Sequence, residues 1–204
     1  WVTPLLVATR SRGKQAELRQ LLAPLGRPIR FPDEMGLAES PVEATLEIFD
    51  DFTENARSKA RWFAAASGLD ALADDSGLEG DALGGAPGVW SKRFAGRDGP
   101  DHDVTAANNA ELLRRLGGVA EVLRTARYRC VLVLAGADGR ETVAEGVTVG
   151  RILEAPRGQG GFGYDPLFWS DDLGMSFAEA APEAKSAVSH RGRAVAALIR
   201  ALSD

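Results

Sequence analysis

The sequence predicts an α/β fold with a mixed sheet, and three observations predict it. Helical periodicity and β-type runs alternate along the N-terminal part of the chain as far as Ala73. A long antiparallel hairpin is written in "RYRCVLVLAGADGRETVAEGVTVGRIL", two β-type runs joined across Asp138-Gly139. The chain then closes on a helical pattern, so helices and strands are interspersed rather than segregated.

Each element has its own signal. Leu5–Ala8 is a short apolar run that reads as a strand. Leu18, Leu21, Leu22 and Leu25 follow the i, i+3, i+4, i+7 spacing of an amphipathic helix, which Pro24 and Gly26 end. Residues 27–50 are rich in proline and acid and read as loop, with one strand at Ile29–Phe31. Asp51 and Glu54 form the capping box of a second helix, "DFTENARSKARWFAAASG", with Gly68 as its stop. Asn55, Lys59 and Trp62 share one of its faces. Leu69–Ala73 reads as a short strand, and Ala107–Leu116 as a third helix stopped by Gly117-Gly118. Asp138-Gly139 predicts a type I′ hairpin turn. Residues 156–174 read as a glycine-rich loop, and Ala194, Ala197, Leu198 and Ala201 recur at helical spacing near the end.

Composition narrows the function. The chain has 204 residues, 45% hydrophobic and 26% charged, which suits one domain or two small lobes with a substantial core. A net charge of −5 argues against broad binding to duplex nucleic acid, while local cations leave a small anionic ligand open. The one cysteine, Cys130, cannot build a disulfide framework and reads as a small buried hydrophobe in a reducing compartment. No run reaches the ~18 apolar residues of a membrane span, and no signal-peptide pattern opens the chain. A cytoplasmic enzyme without membrane or nucleic-acid partners is the expectation.

Four segments could carry chemistry. "TRSRGK", Thr9–Lys14, lies between a strand and a helix, where free N–H groups and the helix dipole attract phosphate; taken alone, such a motif is more often a solvated turn. Arg12 and Lys14 at one helix start, and His190 and Arg191 at another, are cations where the dipole disfavours them. An anionic ligand between those ends accounts for both; exposed charges screened by salt are the alternative. In "ADDSGLEGDALGGAPGVWSKRFAG" the pair Asp74-Asp75 follows a strand; adjacent side chains point to opposite faces, so one of the two faces a given cleft. A turn or cap is the commoner use of such a pair, and a hard divalent ion is the alternative. Glu43, Glu47, Asp50, Asp51 and Glu54 are the acids upstream that could supply a second carboxylate. "PRGQGGFGYDP" sets Phe162, Tyr164 and Asp165 among glycines, a stacking face and an N–H acceptor that suit a purine, or else an ordinary turn with core aromatics. Lys185, Ser189, His190 and Arg191 form a polar cluster leading into the last helix, with no zinc-ligand spacing and no G-x-S-x-G.

Together "VATRSRGKQAEL", "FTENARSKA", "ADDSGLEGDALGGAPGVWSKRFAG", "RYRCVLVLA", "PRGQGGFGYDPLF" and "KSAVSHRGRA" resemble the inosine triphosphate pyrophosphatase family, nearly end to end. The resemblance implies a single domain over residues 1–204, with a long central mixed sheet, flanking helices and two lobes around an active-site cleft. It implies Mg²⁺-dependent hydrolysis of non-canonical purine nucleoside triphosphates (dITP, ITP, XTP) to monophosphate and pyrophosphate by a cytoplasmic homodimer. By match, Asp75 is the general base and a metal ligand, with Glu47 the second ligand. Thr9, Arg10, Ser11, Arg12, Gly13, Lys14, Lys59 and Ser76 meet the triphosphate. Phe162, Gly163, Tyr164, Asp165, Lys185, His190 and Arg191 hold the nucleotide, chiefly its base.

The chain departs from the family's pattern in places. Ser11 stands where the first loop usually has Asn, and Gly80 and Lys92 replace the usual Val and Ala. Phe49 and Asp51 replace the usual glycine and threonine before "FTEN", which puts the backbone around Glu47 in question. That change motivates a rival reading, a purine-nucleotide sensor that no longer turns over.

Overall fold

The computed structural model describes residues 2–203. In chain order the elements are β1 (Leu5–Val7), α1 (Arg12–Leu21), β2 (Ile29–Arg30), α2 (Phe52–Ser67), β3 (Ala71–Gly80) and α3 (Asp101–Arg115). There follow β4 (Thr125–Ala135), β5 (Glu141–Ile152), β6 (Phe168–Ser170), β7 (Met175–Ser176), α4 (Pro182–Val188) and α5 (His190–Ser203). One sheet has the strand order β2-β1-β3-β4-β5-β6-β7. It is mixed: β1 runs parallel to β2 and β3, while β6 runs antiparallel to β5 and β7. Parallel neighbours need a crossover between them, and α1 supplies the one from β1 to β2.

The chain forms two compact units. The first comprises the chain up to Asp75, Cys130–Gly146 and the part from Arg191 onward; the second comprises Ser76–Arg129 and Val147–His190. The core of the first unit packs Leu5, Val7 and Leu72 from strands against Leu18 and Leu22 of the first helical segment and Val195 and Leu198 of α5. Cys130 lies in this core, fully buried, and burial pushes its thiol up to about 12, so it packs as a hydrophobe. The core of the second unit is aromatic. Phe168 meets Tyr128 at 4.7 Å and Phe177 at 4.9 Å between ring centroids, with Leu112, Leu116 and Ile152 around them.

Several elements differ from expectation, each for a physical reason. The strand expected to end at Ala73 runs on to Gly80. Asp, Ser and Gly are poor strand formers, yet β3 is buried almost throughout, and burial with satisfied partners overrides propensity. At Gly77 the strand has no room for more than hydrogen: a Cβ there would lie 2.1 Å from the Gly88 carbonyl oxygen. α3 begins at Asp101 rather than Ala107, because Asp101 and Asp103 favour the first turn through the helix dipole. α4 precedes the last helix, started by Pro182 in its first turn and ended where Ser189 turns extended. β6 lies inside the stretch read as a glycine-rich loop.

The hairpin exists, but its turn is not type I′. That turn needs positive φ at both central residues, and among the described residues only glycines have it. Gly139, at φ 84°, follows an ordinary turn closed by Gly139 N–H to Gly136 O at 3.0 Å, and Gly136 N–H donates to Arg140 O at 2.8 Å.

α2 resolves one doubt. Asp51 is its N-cap, accepting the Glu54 N–H at 2.9 Å, so aspartate performs the capping that threonine would. Only half of the expected capping box forms, since the Glu54 carboxylate turns to Arg57. A complete box occurs instead at Ser40 and Glu43. Replacing Asp51 by Ala should lower stability by about 1 kcal/mol, and by Thr only a few tenths. Urea denaturation of the two variants checks this, and equal losses would refute the capping role.

Candidate functional site

Two adjacent carboxylates on β3 meet different surroundings. Asp74 is 2% exposed. Its Oδ2 lies 2.9 Å from Lys14 Nζ and 3.6 Å from Arg191 Nη2, cations from the first turns of α1 and α5. Burial alone would favour the acid form, but Lys14, Arg191 and Lys59 overcome it and hold Asp74 well below the ordinary carboxylate range. Arg191 is as buried as its partner and also meets Glu17 at 2.5 Å. Asp74 and Glu17 thus supply, from within the protein, countercharges for cations that the helix dipoles disfavour.

Asp75 faces α2. Asn55 Nδ2 donates to its Oδ2 at 2.9 Å. Burial raises Asp75 from an ordinary 3.8 to about 6; Lys14, Lys59 and Asn55 oppose the rise, and Glu47 adds to it. One aspartate is therefore fixed as an anion while its neighbour is poised near neutrality, the pattern by which paired carboxylates divide chemical roles.

Glu47 approaches from the loop before α2 and pairs with Lys59, whose ammonium also donates to Asp74 O at 2.6 Å. Glu47 is held below its ordinary value: burial opposes this, but the charges of Lys59 and Lys14 prevail. Among the described residues no group of three His, Cys, Asp or Glu side chains forms a metal cage. Asp75 and Glu47 nevertheless interact electrostatically and offer hard oxygen donors. One or two carboxylates, with the remaining positions left to water and phosphate, is the usual donor set for Mg²⁺, so these residues fit that ion.

The loop before α1 leads into a helix start whose first N–H groups lack intrahelical partners. Ser11 occupies the N-cap position without a side-chain cap bond, and its N–H goes to Thr9 Oγ1 at 3.3 Å. The first turn, including Arg12, Gly13 and Lys14, carries no acidic residue. Arg10 points elsewhere. It grips Glu43 through Nε and Nη2, each at 2.8 Å, Asp33 at 2.5 Å and Leu37 O at 3.0 Å. Sequence reading placed Arg10 with the triphosphate; the structure commits its fork to the segment that leads to Glu47.

The second unit holds the other group. Asp165 Oδ2 accepts from Lys185 Nζ at 2.7 Å and from Phe162 N–H at 2.8 Å. Lys185 Nζ lies 4.9 Å from the centre of the Phe162 ring, which is half-buried. Gly161 makes this approach possible: a Cβ there would lie 2.1 Å from Asp165 Oδ2. Gly163 takes a left-handed turn at φ 62°. Tyr164 is buried, and its hydroxyl donates to Ser91 O at 2.7 Å, which makes it a wall of this group. His190 stacks on Tyr128 at 4.5 Å with rings 9° apart. Ser76 follows Asp75 on β3 and is half-buried.

The structure thus gathers Lys14, Glu47, Lys59, Asp74, Asp75 and Arg191 in one unit, and Phe162, Asp165 and Lys185 in the other. Sequence reading gave Asn55 and Glu17 no contact with these groups, and took Glu43 as a candidate second carboxylate where the structure pairs it with Arg10. Asn55 carried the clearest signal: an amide at i, i+4 from Lys59 on one helix face.

Asp75 has a measurable cost. Its raised pKa means that its contribution to stability is full below pH 3.8 and is lost as pH rises through about 6. Asp75→Asn should therefore stabilise the metal-free protein at pH 8 by about 3 kcal/mol at most, and leave it unchanged at pH 3.5. Thermal unfolding at both pH values checks this; equal effects at the two would refute it.

Comparison with known proteins places these groups in a family. Residues 5–201 match the family model described as Ham1 family. The chain is 46% identical over 200 residues to a dITP/XTP pyrophosphatase of Thermus thermophilus, covering 98% of this chain and 92% of that one. It is 47% identical over 194 residues to a dITP/XTP pyrophosphatase of Desulforamulus reducens, covering 94% and 91%. A solved HAM1 protein from Coxiella burnetii aligns with TM-score 0.84 at 35% identity over 99% of each chain. The resemblance carried by the six sequence segments is borne out, and the chain belongs to the Ham1 family.

Proposed function

We propose that the chain hydrolyses non-canonical purine nucleoside triphosphates (dITP, ITP and XTP) to the monophosphate and pyrophosphate, with Mg²⁺. The observation that carries this reading is the division between Asp74, held as an anion, and Asp75, raised to about 6 beside Glu47. The activity for which the relatives are named supports it. Bound Mg²⁺ would neutralise phosphate charge and acidify water. Asp75 and Glu47 would hold it.

This chain's own residues do the rest. The open first turn of α1 and Lys14 hold phosphate oxygens, with Thr9, Ser11, Arg12, Gly13, Lys59 and Ser76 completing that end. Asp75 accepts the proton of a water whose oxygen bonds to the α-phosphorus. The α–β anhydride bond breaks, and its bridging oxygen leaves with pyrophosphate. Phe162 stacks on the purine, while Gly163, Tyr164, Asp165, Lys185 and His190 shape the base end; Arg191, buried against Asp74 and Glu17, acts at the phosphate end by bracing Asp74. Arg10 acts through Glu43, by holding the loop that carries Glu47. Hypoxanthine and xanthine present a 6-oxo group and N1–H where adenine has an amino group and a bare N1, so a site matched to the former leaves polar groups unpaired against the latter. The reading includes the cytoplasmic homodimer that the resemblance implies. Among the described residues no helix is long and apolar enough to cross a membrane.

Pyrophosphate release from dITP, XTP, dATP and dGTP, with and without Mg²⁺, is the direct test. Turnover of dITP and XTP that requires the ion and exceeds that of dATP is expected. Tight dITP binding without any turnover would favour the sensor reading instead. Asp75→Asn should lower kcat about 100-fold or more while nucleotide still binds, and near-normal turnover would remove Asp75 as the base. Phe162→Ala should raise KM about tenfold; an unchanged KM and Kd would exclude stacking.

A further inference from the structure

Asn55 makes more of its amide than any capping or surface role requires. It lies in the second turn of α2 and is 1% exposed. Its Oδ1 accepts the Phe49 N–H at 2.9 Å. Its Nδ2 donates one proton to Phe49 O at 3.0 Å and the other to Asp75 Oδ2 at 2.9 Å. A primary amide has two protons to give, and both are given. Its orientation is therefore determined: turned over, the amide would set its oxygen against a carbonyl and a carboxylate, and its N–H₂ against an N–H.

These three bonds join two pieces of chain that nothing in local sequence relates. Phe49 lies two residues after Glu47, and Asp75 lies on β3. One helical turn further along the same face of α2, Lys59 repeats the arrangement, reaching Glu47 and the Asp74 carbonyl. The Asn55–Lys59 stripe thus grips the Glu47 loop and the Asp75 strand at two levels. It also accounts for Phe49 where glycine is usual. The backbone groups of this residue are taken by Asn55 with no positive φ, so a Cβ is tolerated.

We infer that Asn55 is a positioning residue: its amide sets the separation and orientation of the Asp75 and Glu47 carboxylates, and so tunes how tightly they hold a divalent cation. The inference rests on the reading that these two carboxylates are the cation's ligands. A buried amide with only a packing role would affect stability but not cation affinity in particular. Groups that orient a metal ligand through a hydrogen bond change affinity about 10- to 100-fold when lost.

The test uses the full chain without nucleotide and Mn²⁺ as the probe, with free Mn²⁺ followed by EPR. Asp75→Asn and Glu47→Gln serve as references. Asn55→Ser, which shortens the side chain out of reach of Asp75, should weaken Mn²⁺ binding about tenfold or more. The Mg²⁺ concentration for half-maximal dITP turnover should rise by the same factor. KM for dITP at saturating Mg²⁺ should stay within about threefold, a split that general loosening of the fold would not give. Wild-type affinity in folded Asn55→Ser, together with weak binding in Asp75→Asn, would overturn the inference and leave the proposed cation site standing. Wild-type affinity in both reference variants would overturn the cation site and the inference with it. Should Asn55→Ser not fold, the wild-type protein decides: Mg²⁺ should shift the NMR signal of the Asn55 Nδ2 protons, and an unshifted signal at saturating Mg²⁺ would overturn the inference.

Discussion

The carboxylate of Asp74 is the anion on which the buried cation cluster of the first unit depends. It meets Lys14 and Arg191 directly, and its own carbonyl accepts from Lys59. Arg191 has its charge buried among the core of α5, where an uncompensated guanidinium would be very costly. Taking one partner from such a cluster costs about 3–5 kcal/mol, because the others remain buried and charged. Asp74 is thereby a structural ion first. It lets two helices start on cations, and it holds Lys14 ready at the loop where phosphate is proposed to bind.

Asp75 obtains its different character from one step along the same strand. Alternation sends the two side chains to opposite faces, Asp74 toward Lys14 and Arg191, Asp75 toward α2. On its face Asp75 finds an amide donor, a second carboxylate and little water. Burial then dominates over more distant cations, and the proton is held more tightly. Two residues of the same type thus acquire unlike chemistry without any difference in composition.

Much of this was legible in the residues, and the failures have identifiable causes. The apolar spacing of Leu18, Leu21 and Leu22 gave α1, and Asp51 with Gly68 bounded α2, because caps and periodicity are local signals. The mixed sheet followed from the order of elements. The extension of β3 was not legible, since Asp74–Gly77 satisfies no strand propensity and is held by partners far along the chain. Asp74 and Asp75 could be separated by alternation, but not which of them would be poised near neutrality; that depends on Lys14, Arg191 and Asn55 arriving from three helices. The employment of Arg10 was hidden for the same reason, its acceptors lying 23 and 33 residues away.

The segment that carries Glu47 is attached in an unusual way. Of residues 33–51 only Leu46 is buried; Met35, Val42, Ile48 and Phe49 all face solvent. Its hold on the rest of the first unit is largely polar, through Arg10 and Arg19 near its start, Arg10 again in its middle, and Asn55 and Lys59 near its end. Segments with few buried apolar contacts open at free energies far below that of global unfolding. The amides of this one should exchange with solvent hydrogen by a local opening that leaves the sheet intact. The two fastenings differ in kind. The Arg10 pairs are partly exposed and weaken as salt rises, while the Asn55 bonds are sheltered and do not. Ionic strength therefore loosens the segment from its Arg10 side, while Asn55 keeps its hold on the Phe49 backbone two residues beyond Glu47.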